Sequence, residues 1–113
     1  MDLKKLYTDI LALLGTELAI FKFLAFCDMG AREIIARYPK KITVGVGEYL
    51  SPESLDSSFA LNEEFYLAML YYVLGCSKGE ESLLTKSKES AEDAYLTLWR
   101  EKAKGKRIAK DRW

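Results

Sequence analysis

The run FYLAMLYYVLG, residues 65–75, carries no charged side chain, and its apolar groups fall on every side of a helix. Phe65, Met69 and Tyr72 share one side; Leu67, Tyr71 and Leu74 share another. A helix that is apolar all round must be buried all round. A chain of 113 residues has material for one core only. This helix is therefore expected at the centre of the fold, or with its far side covered by a neighbouring subunit. The spacing predicts that it starts at Asn62 as N-cap, with Glu63 and Glu64 in the first turn where the helix dipole favours negative charge, and that it stops near Gly75.

Three further helical patterns surround it. Leu3, Leu6, Tyr7, Ile10, Leu11 and Leu14 recur every three or four residues between Asp2, a cap, and Gly15, a stop. A second helix is predicted over residues 17–38, carrying Leu18, Phe21, Leu24, Ile34 and Ile35. Pro39 closes it, and Asp28-Met29-Gly30 form a place where it could bend or split. Ser77 and Glu80 fit a capping box for the last helix, whose apolar stripe runs through Leu84, Ala91, Ala94, Tyr95 and Leu98 and ends at Trp99. Between the second and third patterns, KKITVGVGEYL is rich in β-branched residues and predicts a short strand or hairpin arm. The expected fold is all-α: a small bundle of about four helices with a short extended or β arm in the middle and an extended C-terminal arm. Residues 1–103 would form the bundle domain and residues 104–113 the arm.

Few residues suit catalysis. The chain has no histidine, which removes the commonest general base and the commonest zinc ligand together. Its acidic pairs, Glu63/Glu64, Glu80/Glu81 and Glu92/Asp93, are adjacent in sequence, so on a helix they diverge by about 100° and do not share a proton. The GVG at residues 45–47 lacks the Lys-Ser/Thr of a phosphate loop. Cys27 and Cys76 stand apart inside apolar patterns and read as buried free thiols. No catalytic residue, metal site or cofactor is expected, and the chain is not expected to be an enzyme. The longest uncharged apolar run, residues 65–76, falls short of the roughly 20 residues a membrane span needs. Met1 is followed at once by a charged amphipathic segment, so an untargeted intracellular product without membrane contact is expected.

The charges balance, 17 basic against 17 acidic, but they are not evenly spread. Residues 100–113 hold seven basic and two acidic side chains, so a tail of +5 follows a body of −5. End-loading of this kind marks a contact made by the tail. The bland alternative is a solvated chain end, but Ile108 and Trp113 are costly apolar groups to leave in water. The candidate partner-binding residues are therefore Lys104, Lys106, Arg107, Ile108, Lys110, Arg112 and Trp113.

From residue 18 to residue 102 the order of features, AREIIARYP, ITVGVGEYL, SPESLDSSFAL, NEEFYLAMLYYVLG and AEDAYLTLWREK, resembles the head-to-tail adaptor (connector) proteins of tailed bacteriophages. These proteins sit as a ring beneath the portal. The resemblance implies a structural protein of the virion neck, assembled in the host cytoplasm as a homo-oligomeric, twelvefold ring. Such a ring would dock on the portal protein and on the next neck or tail protein, and DNA would pass through its channel without sequence-specific binding. By position, residues 104–113 match the portal-gripping arm. The segment holding Ile42, Val44, Val46, Tyr49 and Phe59 matches the region that touches neighbouring subunits. A different class of function, a small helical regulatory protein that binds nucleic acid through the basic tail, is the alternative. Net neutrality and the acidic body weigh against it.

Overall fold

Helix α1, Leu3–Leu14, opens as its pattern predicts: the Asp2 carboxylate accepts from the backbone N–H groups of Lys4 and Lys5, and Gly15 closes it in the left-handed conformation. The computed structural model describes the backbone of residues 1–45 and 47–111 and the side chains of residues 1–45 and 47–102. Helix α2 is Ile20–Arg37, α3 is the short Lys40–Thr43, α4 is Tyr66–Lys78 and α5 is Glu81–Asp111, with a 3₁₀ turn, Glu63–Phe65, leading into α4. The all-α expectation holds. No strand occurs among the described residues.

Helix α4 is the hub, touching α1, α2 and α5. Its Phe65, Ala68, Met69 and Val73 side is almost fully buried, together with Leu3, Leu6, Ile10, Phe23, Cys27 and Leu61. Helix α2 runs unbroken through Asp28-Met29-Gly30. Gly30 does not bend it. A Cβ there would meet Cδ1 of Tyr72 at 2.8 Å and Sδ of Met69 at 3.1 Å, so the glycine lets α2 lie close against α4.

Three local expectations are corrected. The Ile42–Thr43 stretch is helical, because Pro39 opens a turn whose carbonyl accepts from the N–H groups of Ile42 and Thr43. Gly45 and Gly47 then take positive φ, 75° and 109°, which strand geometry excludes. Helix α4 continues past Gly75 to Lys78 and ends at Gly79. Ser77 accordingly lies inside α4 and donates to the Val73 carbonyl, so it does not cap α5.

Candidate functional site

The basic C-terminal segment leaves the body as helix. Helix α5 has 31 residues, about 46 Å of helix at 1.5 Å per residue. Near the edge of the body the Lys102 ammonium donates to the Lys41 carbonyl of α3 at 3.4 Å, and the helical backbone then continues to Asp111. The extended arm expected from Lys104 onward is thus corrected as far as Asp111. Ala103, Lys104, Lys106, Arg107 and Ala109 are good helix formers, extension needs no new nucleus, and Gly105 alone costs only about 1 kcal/mol. Lys104, Lys106, Arg107, Ile108 and Lys110 all fall on this extension. Their side chains, and Arg112 and Trp113 altogether, lie outside the described residues. Leading into the extension, Leu96 and Trp99 are one turn apart and exposed, Trp99 by 52%. The apolar stripe of α5 therefore turns outward at Trp99, which the spacing had placed in the core.

The long connection between α3 and α4 is clasped to α2 through one carboxylate. Asp28 accepts from the Tyr49 hydroxyl and the Ser51 hydroxyl, each at 2.8 Å, and from Nε of Arg32 at 3.1 Å. Arg32 also donates to Ser51 at 2.9 Å and lies over the Tyr49 ring. Burial alone would raise the Asp28 pKa, but the hydrogen bonds from Tyr49, Ser51 and Arg32 outweigh it and hold the carboxyl below its usual value. The phenol of Tyr49 is pushed up, first by burial and then by its bond to Asp28. With both its neighbours tied to Asp28, Leu50 is held outward and is 72% exposed.

The segment expected to meet neighbouring subunits divides. Ile42, Val44 and Phe59 are buried within the chain's own core and are not free to make a subunit contact. Phe59 stacks edge-on against Tyr49. Tyr49 is half-buried by the clasp, and Val46 lies outside the described residues. Of the apolar residues that do face outward, Leu50 and Met29 were not singled out as contacts by their pattern, and Phe21, counted in the apolar pattern of the second helix, is turned to the outside. Leu50 presents itself from the loop, and Phe21, 72% exposed, and Met29 from α2. On α4, Leu67 is 55% exposed and Leu70 and Tyr71 are half-buried, so the open side of the apolar helix is the Leu67–Tyr71 side.

Among the described residues no group of three or more His, Cys, Asp or Glu is placed to hold a metal ion. The cleft between α2, α4 and α5, lined by Gly30, Glu33, Tyr38, Tyr72 and Lys88, offers about 20 Å³, the space of a single water. Cys27 is buried and its thiol pKa is raised by that burial, which makes it unreactive. No helix among the described residues is long and apolar enough to cross a membrane. Comparison with protein-family models, with curated proteins and with solved structures finds no match.

Proposed function

We propose that this chain is a structural adaptor of a phage head-to-tail interface, in which copies of a helical body form a ring and the C-terminal part of α5 grips the portal protein. The observation that carries the reading is the basic extension of α5, a single helix that leaves an acidic body and continues to Asp111. A helix of this kind offers a preorganised, positively charged surface to an acidic partner. Leu96 and Trp99, exposed at its root, supply the apolar anchors on which binding energy concentrates. The order of elements along residues 18–102 is similar to that of the adaptor family, and the exposed apolar side of α4 suits a chain that acts in an assembly.

The test is binding of the full chain to the portal protein encoded in the same genome, followed by light scattering. The full chain is expected to bind the portal assembly. Deletion of residues 104–113 should leave the helical signal and melting behaviour of the body intact and abolish binding. A truncated chain that binds with unchanged affinity and salt dependence would remove the arm from the mechanism. Tight binding to duplex DNA in place of the portal would favour the nucleic-acid reading.

A further inference from the structure

One side of α5 faces away from the body. Ser87, Ala91 and Ala94 are buried against the core, while Thr85, Glu89, Glu92, Leu96 and Trp99 are exposed. Those five recur at alternating spacings of four and three residues, which keeps them on one line of the helix. The same spacing carries the line on through Ala103, Lys106 and Lys110 of the basic extension, with no break in the helix between. The line has an order. It is acidic first, apolar at Leu96, Trp99 and Ala103, and basic last.

The charges around the line keep that order. Along residues 81–93 the exposed charged groups of α5 are Glu81, Glu89, Glu92 and Asp93 against Lys86 and Lys88. Lys86 is drawn aside over the Tyr71 ring of α4, and Lys88 lines the cleft that also holds Glu33 and Arg37. With these cleft neighbours included, this half has five acidic groups against three basic. Residues 100–111 hold Arg100, Lys102, Lys104, Lys106, Arg107 and Lys110 against Glu101 and Asp111. Of the elements that touch α5, α3 brings Lys40 and Lys41 and the 3₁₀ turn brings Glu63 and Glu64, which offset one another. Helix α4 brings Lys78, offset by Glu80 in the turn after it.

We infer that this side of α5 pairs with the same side of a second copy, the two helices antiparallel, so that the unassembled chain is a two-fold dimer. A two-fold contact matches a surface to itself. A line that is acidic at one end, apolar in the middle and basic at the other does so when one copy runs opposite to the other. With the axis between residues 97 and 98, Leu96 meets Trp99 of the second copy, Glu89 meets Lys106, and Asp93 stands beside Arg100, each contact made twice. Exposed ion pairs are typically worth less than about 1 kcal/mol, so the apolar centre holds the pair and the charges set its direction. The dimer covers the anchors and basic groups that the proposed function gives to the portal, which would therefore displace the second copy on docking. The pairing itself does not depend on what the arm later grips.

The test is sedimentation equilibrium of the full chain, with circular dichroism to verify folding. The unmodified chain should be a dimer that weakens as salt is raised. Trp99→Glu should raise its dissociation constant at least about tenfold. Two double variants test the direction of the pair and serve also if Trp99→Glu unfolds. Glu89→Lys with Glu92→Lys makes both ends of the line basic, and Lys106→Glu with Arg107→Glu makes both ends acidic. Each should be monomeric alone, and an equimolar mixture should form a one-to-one dimer of twice the monomer mass. An unmodified chain that stays monomeric at every concentration reached, a folded Trp99→Glu variant of unchanged mass, double variants that still self-associate, or a mixture that stays monomeric would each overturn the inference. Loss of the dimer with portal binding intact would leave the adaptor reading standing. A dimer without portal binding would do the reverse.

Discussion

At Gly75 a Cβ would lie 2.9 Å from the Leu84 side chain and 3.2 Å from the Leu84 backbone nitrogen. A side-chain tip can move aside, but backbone nitrogen cannot without shifting the start of α5. Gly75→Ala should therefore destabilise the body by about 1–3 kcal/mol despite the better helix propensity of alanine, seen as a lower melting temperature. Its glycine identity was legible in the sequence and its purpose was not, because a stop and a close approach call for the same residue. Three tyrosines carry a second consequence. Tyr49, Tyr66 and Tyr72 all have raised pKa values, with burial the largest cause in each. Tyr66 also donates to the Asp9 carboxylate. Unfolded tyrosine ionises near pH 10, while the folded chain holds its protons to higher pH. The stabilisation is complete below about pH 10 and is lost as pH climbs through the folded values. The melting temperature should thus fall steeply above about pH 10, and phenolate absorbance should rise together with loss of helix.

At the scale of elements, what the sequence revealed depended on what decides each element. α1 and the body of α2 follow from periodicity and local caps, and both appear where the spacing put them. Ile42 and Thr43 misled because β-branched residues favour strands only when a partner strand exists. Here Pro39 offers a carbonyl within one turn, and Thr43 donates both its N–H and its hydroxyl back to it. The apolar surround of α4 was plain in its residues, but which side meets the core was not. It is the Phe65–Met69–Val73 side that is buried. Leu67 and Tyr71 lie on the open side, although Leu74 beside them is buried. The tail announced itself by charge. The clasp did not, since Asp28, Tyr49 and Ser51 are 21 and 23 residues apart along the chain and meet only in the fold.

The whole molecule measures 57 × 28 × 22 Å, and the same helix that packs against α4 through Ser87, Ala91 and Ala94 continues into the basic extension. No loop lies between body and arm. Orientation is therefore transmitted as phase: every residue inserted in α5 turns all that follows by about 100° and advances it by about 1.5 Å. Two alanines inserted after Lys102 would rotate the basic groups by about 200°, away from their partner. Four would rotate them by only about 40° while moving them farther, about 6 Å. If the arm works as a rigid spoke, portal binding should be lost with two added residues and largely kept with four. A flexible tether would show the opposite indifference, tolerating both insertions equally.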